Sequence, residues 1–207
     1  MTSQNAAPAR SWYLDRPLTG FALPQGRFAR LFGWVMANSN HAEQREVFDA
    51  LGVRPGERVL EVGHGPGVLL RMLAEAGAVV CGVDPSEAMV RMAARRLRRI
   101  GDGRADVRVG VAERTGHPDA SFDAVVSVNN VPMWSDLDAG FAELHRVLRP
   151  GGRLVVAWHG GRSPRKAARH LVLPEQVLDQ ILDRMRQVFG TAERKSLQHV
   201  EVFTAHR

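Results

Sequence analysis

Hydrophobic positions change their period along this chain, and the changes mark out its elements. Over residues 1–26, Pro8, Pro17, Gly20, Pro24 and Gly26 recur too often for a regular element. Phe28, Leu31, Phe32, Val35 and Met36 then follow helical spacing and predict a helix over 27–36. Asn40, with Glu43 three residues on, reads as a capping box for a second helix; Val47, Phe48 and Leu51 form its apolar stripe and Gly52 stops it. From residue 58 onward short apolar runs take over, and 58–62, 79–83, 107–111, 122–128 and 153–158 each predict a strand. Helical stripes lie between them. Val68, Leu69, Met72, Leu73 and Ala76 precede Gly77; Met89, Val90, Ala93, Leu97 and Ile100 follow the cap Ser86; Leu137, Phe141, Leu144 and Leu148 make a third. A helix over 174–189 and a strand near 198–205 close the pattern. Continuous β-branched strands alternating with helices through short connections specify a mostly parallel sheet covered on both faces.

At 207 residues the chain is one ordinary domain, divided here into a tail and helical lid over 1–52 and a core over 53–207. A single cysteine, Cys81, excludes an internal disulfide and a cysteine-cluster metal site, and no H-E-x-x-H pattern occurs, so no metal is expected. Residues 1–9 lack the charged and apolar regions of a secretion signal. No apolar run reaches the roughly 18 to 20 residues that span a bilayer. A cytoplasmic protein without a membrane span is the expectation. The net charge of +6 comes mainly from arginine. It fits a nucleic acid, an anionic small substrate or a genomic bias toward arginine, and does not choose among them.

The most informative stretch is Val-Leu-Glu-Val-Gly-His-Gly-Pro-Gly over 59–67, a strand running into a loop with Gly63, Gly65 and Gly67 and then into a helix. Glycines at alternate positions permit positive φ and let backbone approach a ligand closely. In an open α/β sheet this loop lies at the carboxyl edge, where ligands bind. A dinucleotide fingerprint needs G-x-G-x-x-G/A, and position 68 is Val. The loop instead reads E-x-G-x-G-x-G, and Glu61 suits a cationic ligand end such as an amino-acid ammonium group rather than a pyrophosphate. Asp84, closing the second strand, can accept from ribose hydroxyls in either reading.

These residues carry a family resemblance. The segments 59–67, Gly-Val-Asp-Pro-Ser-Glu-Ala-Met-Val over 82–90, Ser-Phe-Asp-Ala-Val-Val-Ser-Val-Asn over 121–129 and Arg-Val-Leu-Arg-Pro-Gly-Gly-Arg-Leu over 146–154 stand in order on the expected elements. Over about residues 27–160 the chain resembles class I S-adenosylmethionine-dependent methyltransferases of the small ubiquinone/menaquinone-biosynthesis-like type. The resemblance implies a three-layer, doubly wound, mostly parallel seven-stranded sheet, the Rossmann-like methyltransferase fold, with an N-terminal helical lid. It also implies S-adenosyl-L-methionine as cofactor. Gly63, Gly65 and Gly67 would pack on its methionine and ribose, with His64 in the same loop, and Glu61 would orient the loop and its ammonium contacts. Asp84 would hold the ribose, Pro85 and Met89 would lie along the adenine, and backbone near Ala112 and Glu113 would meet the adenine edge. Asn129 would face the methionine portion and the methyl group. One departure is Val111, which stands where the family often has an acid for the adenine amino group; this leaves Glu113 or the backbone alone for that contact.

The implied reaction is transfer of the activated methyl to a small-molecule acceptor by in-line displacement, which gains most from alignment and exclusion of water. A base is needed only where the acceptor loses a proton; His41, His159 and His64 are the histidines to consider, and none stands out. Trp12, Tyr13, Phe21, Phe28, Phe32 and Trp34 either wall an apolar acceptor pocket or cover the sheet. Trp134 is placed as a pocket wall. The segment 129–134 has the outline of the Asn-Pro-Pro-aromatic motif of nucleic-acid amino methylases but lacks its prolyl pair. Arg165, with Arg162, Lys166 and Arg169, follows the fifth strand and would attract a carboxylated or phosphorylated acceptor. Arg91, Arg95, Arg98 and Arg99 read as a solvated helix face. The expected partner is thus a small molecule, anionic or apolar and aromatic. The alternatives are an RNA methyltransferase, for which no appended RNA-binding domain is seen, and a non-methylating catalyst or regulator on the same fold.

Overall fold

The apolar runs pair into one seven-stranded sheet whose order is β3-β2-β1-β4-β5-β7-β6. The structure is a computed structural model that describes residues 11–13, 41–98, 100 and 103–207. The helix expected over 27–36, the cap Asn40, the aromatics Phe21, Phe28, Phe32 and Trp34, and Arg99 lie outside the described residues. The strands are β1 (Arg58–Val62), β2 (Val79–Asp84), β3 (Ala105–Val109), β4 (Phe122–Val128), β5 (Leu148–His159), β6 (Ala192–Ser196) and β7 (Val200–His206). The helices are α1 (His41–Leu51), α2 (Val68–Glu75), α3 (Glu87–Leu97), α4 (Leu137–Val147) and α5 (Glu175–Phe189), with short 3-10 turns at Val131–Met133 and Lys166–Leu171. β1 to β5 are parallel, and β7 runs antiparallel to both of its neighbours.

Two separate hydrophobic clusters occupy the two faces. Leu60 and Val62 of β1 join Phe141 and Leu144 of α4 and Ile181 and Met185 of α5 in one. Val59 joins Val47 and Leu51 of α1, Leu69, Leu70 and Leu73 of α2, and Leu97 of α3 in the other. The period-2 alternation of a strand does this sorting, and it puts Glu61 on the α1–α3 side beside Val59. The chain is therefore doubly wound, as its pattern implied.

The differences from expectation have physical causes. β3 begins two residues earlier than its apolar run, because Ala105 and Asp106 already pair with Val80 and Cys81. Val111 leaves the strand and forms only an isolated bridge with Arg114. β5 starts at Leu148, directly out of α4, with a register shift opposite Phe122–Ala124 that absorbs the Pro150-Gly151-Gly152 turn. β6, Ala-Glu-Arg-Lys-Ser, has no apolar signal because it is an edge strand, and charge on an edge strand discourages pairing with other chains. Glu43 is 1% exposed and turned inward; its expected capping-box partner Asn40 lies outside the described residues. Trp134, expected as a pocket wall, has its ring 5% exposed, edge-on to Phe141 at 5.3 Å, and in the space a Cβ on Gly140 would need.

At the amino edge of the sheet Arg153 holds three segments together. Its guanidinium meets both oxygens of Glu57 at 2.7 and 3.0 Å and donates to the carbonyls of Leu51 at 2.7 Å and Gly52 at 3.2 Å. That hydrogen-bonded guanidinium holds the Glu57 carboxyl below the usual carboxylate range. A depressed carboxyl stabilises the fold above its unfolded pKa and loses that contribution as pH falls through the folded value. Glu57→Gln is expected to lower the melting temperature at neutral pH by a few degrees, with the gap from wild type closing under acid. Melts across that range check it.

Candidate functional site

Every residue assigned by resemblance from Glu61 to Asn129 lies at or beyond the carboxyl edge of β1, β2, β3 or β4. The glycine loop turns sharply there because all three glycines are left-handed, with φ of 70° at Gly63, 51° at Gly65 and 76° at Gly67. Two of them also face close neighbours. A Cβ on Gly63 would stand 2.2 Å from Nδ2 of Asn130, and one on Gly67 would stand 2.7 Å from Cβ of Ala93 in α3. The loop is thus closed on one side by the turn after β4 and on the other by α3.

Asp84 fixes its middle. One carboxylate oxygen accepts from the Gly65 amide and the other from the Ser86 amide, each at 2.8 Å. Burial raises its pKa, partly offset by His64. His64 is 2% exposed; its Nδ1 lies 2.7 Å from the Gly65 carbonyl and its Nε2 is buried without a partner. Burial lowers its pKa and keeps the ring neutral. A neutral, buried imidazole bound to the backbone packs the loop rather than exchanging protons.

Glu61 is the site's unsatisfied carboxyl. It is 3% exposed and its Oε2 has no hydrogen-bond partner. Burial, then the nearby Asp84 carboxylate, pushes its pKa well above the ordinary value, and the Leu70 amide offsets only part of this. A buried carboxyl without a partner costs free energy. A donor, best a cation, on the open side of the loop relieves that cost.

Sequence reasoning passes over Asn130, the polar residue that does most here. Its Nδ2 donates to the Val62 carbonyl at 2.8 Å and lies 3.4 Å from the Gly63 carbonyl. Its Oδ1 accepts from Ser127 at 2.6 Å and from the Trp134 indole at 2.8 Å. One side chain therefore ties β4, the glycine loop and Trp134 together. The available signal is a second asparagine two residues past the end of β4.

Asn129 is left-handed, φ 56°, which asparagine tolerates better than most residues. Its Nδ2 donates to Glu43 at 2.7 Å while its Oδ1 is buried and unpartnered. Glu43 in turn meets Nδ1 of His159, the last residue of β5, at 3.0 Å. His159 is buried, whereas His41 is exposed at the start of α1 and is not brought to this group.

The remaining assignments divide. Pro85 is exposed beside Asp84, Met89 is 1% exposed, and Ala112 is buried in the core. Glu113, considered for adenine, instead bridges to the loop before α4, accepting at one oxygen from Ser135 Oγ at 2.8 Å and the Asp136 amide at 3.0 Å. Val111 is 41% exposed. Tyr13 is exposed; its neighbour Trp12 is the residue that docks, donating from its indole to Val131 and from its amide to Trp134, each at 2.8 Å. Arg165 and its basic neighbours follow β5 and form no ion pair among the described residues. Among the described residues no group of three or more His, Cys, Asp or Glu side chains is placed to hold a metal, and no helix is long and apolar enough to cross a membrane.

Comparison with known proteins bears on the family and the fold. A methyltransferase-domain family model matches residues 60–156. An uncharacterized methyltransferase of Bacillus subtilis is 34% identical over 139 residues, covering 65% of this chain and 72% of that protein. A demethylmenaquinone methyltransferase of Beutenbergia cavernae is 43% identical over 116 residues, 55% of this chain but only 45% of the relative. The chain thus matches less than half the length of that enzyme. A crystal structure of a methyltransferase from Aquifex aeolicus superposes with a TM-score of 0.68 at 20% identity, covering 84% of this chain and 96% of that one, and shares the fold. On the matched family model, the relatives and the fold together, this chain belongs to the methyltransferase-domain family.

Proposed function

We propose that the chain transfers a methyl group from S-adenosylmethionine to a small-molecule acceptor. The observation that carries this reading is the buried, unpartnered oxygen of Glu61 behind a loop of three left-handed glycines. That combination favours a ligand with a cationic end lying against backbone, and disfavours a pyrophosphate. The cofactor supplies a methyl group already activated on a sulfonium. Glu61 meets its ammonium group, Gly63, Gly65 and Gly67 leave room for its methionine and ribose, and Asp84 has lone pairs beyond the two amides it binds. The exposed Val111 offers an apolar surface for the adenine, in place of the acidic contact common in the family.

The acceptor then lies toward β4 and β5, on the other side of β1 from Asp84. Trp12 docks on the turn after β4, at that end of the sheet. The unpaired Arg162, Arg165, Lys166 and Arg169 support an acceptor bearing a carboxylate or phosphate. A quinone-like acceptor agrees with the demethylmenaquinone relative, and we place the reaction in the cytoplasm. Neither RNA nor a non-methylating role is favoured by the family match.

Calorimetric titration tests the cofactor. Saturable binding of S-adenosylmethionine and S-adenosylhomocysteine is expected, with no heat from NAD. Folded protein that binds neither sulfur compound would overturn the reading.

A further inference from the structure

We infer that His159 is a general base, held by Glu43, and that it serves an acceptor hydroxyl, such as that of the reduced hydroquinone form of a quinone-like compound, which must lose its proton on methylation. The inference rests on the methyltransferase reading and deepens it. Glu43 is a carboxylate on α1 with 1% exposure, and both of its donors come from loop or strand ends at the carboxyl edge: Nδ2 of Asn129 at 2.7 Å and Nδ1 of His159 at 3.0 Å. A carboxylate facing Nδ1 places the imidazole proton there and leaves the lone pair on Nε2. Nε2 has no hydrogen-bond partner among the described residues.

Anchoring α1 does not require this arrangement. Val47 and Leu51 already bury its apolar stripe, and Glu46 makes a second, more exposed tie to His199 at 2.6 Å. Burying a carboxylate costs more than an apolar contact would. Asn129 is also held left-handed with an orphaned Oδ1, the kind of local strain that collects at working sites. Adjacent Asn130 packs on Gly63. One dipeptide thus joins the imidazole–carboxylate pair to the loop that faces the methyl donor.

The step balances as follows. The acceptor hydroxyl gives its proton to Nε2 of His159 as its oxygen forms the new C–O bond. The C–S bond breaks with its electron pair passing to sulfur, leaving neutral S-adenosylhomocysteine and an imidazolium whose charge Glu43 offsets. Glu43 is a positioning residue; it need not accept the proton.

Two phenols test this in the full chain: phenol itself, whose pKa is about 10 like that of tyrosine, and 4-nitrophenol, which ionises without help in mildly alkaline buffer. His159→Ala is expected to lower S-adenosylhomocysteine formation with phenol by about 100-fold or more, the usual range for a lost base. With 4-nitrophenol the loss is expected to be small, and added imidazole is expected to restore phenol turnover. Glu43→Gln should weaken phenol turnover selectively, while His199→Ala should alter neither. Equal loss on both phenols, no loss on phenol, or wild type that binds S-adenosylmethionine but methylates neither would overturn the proposal. So would nitrogen-15 imidazole shifts placing the His159 proton on Nε2 in the free protein. Failure of the methyltransferase reading has a different signature, absence of cofactor binding by wild type.

Discussion

Asp84→Ala is expected to abolish measurable S-adenosylmethionine binding and to lower the melting temperature of the ligand-free protein as well. Both oxygens of Asp84 already accept from backbone, at Gly65 and Ser86. Removing them leaves two buried amides without acceptors, at about 1–3 kcal/mol each. The first of those amides sits in the left-handed centre of the glycine loop, so the loop loses its set geometry along with the ribose contact proposed above. Asp84→Asn keeps one acceptor and turns an amide donor toward the other partner, so an intermediate loss on both readouts is expected. Calorimetry and thermal melts on the two variants check the ordering. An alanine variant that binds the cofactor like wild type would remove Asp84 from the site.

Glu61→Gln is expected to move stability and binding in opposite directions. The folded-state pKa of Glu61 is raised, by burial first and by Asp84 second. For a raised carboxyl, stability is fully present below the ordinary pKa of 4.5 and declines as pH rises through the folded value. Glutamine is neutral at every pH and removes that decline. In ligand-free protein at neutral pH a gain of about 2–4 °C is expected, the response of a chain this size to roughly 1 kcal/mol. Affinity for S-adenosylmethionine is expected to fall about tenfold or more, since a hydrogen bond to a charged group is worth about 1.5–3 kcal/mol. Wild-type affinity should also rise with pH, as the ammonium group requires Glu61 ionised, and the variant should lose that slope. A variant that is both less stable and unchanged in affinity contradicts the assignment.

Much of the fold is legible in the sequence. β1, β2 and β4 are buried nearly throughout, so their apolar runs announce them, and β4 was bounded to the residue. The glycine loop and Asp84 were legible because backbone conformation and strand ends leave their mark on residue type. What escaped were features whose meaning depends on a distant partner. Glu43 has the spacing of a helix cap, and only the folding of β4 and β5 against α1 reveals Asn129 and His159 as its partners. Trp134 reads as a pocket wall, and its packing against Gly140, a side-chain-free position on the inner face of α4, shows only in the fold. The charged β6 carries no apolar run because one of its edges pairs with no strand among the described residues.

The hydrogen bonds of Asn130 to Val62 and Gly63 span 68 and 67 positions of sequence. They exist only once β1 and β4 have paired, and pairings that far apart close large loops and form slowly. The glycine loop therefore gains its final shape late in folding, together with the middle of the sheet. A ligand of that loop acts on the finished state: it slows unfolding and shifts the equilibrium toward the native protein, but leaves the refolding rate unchanged.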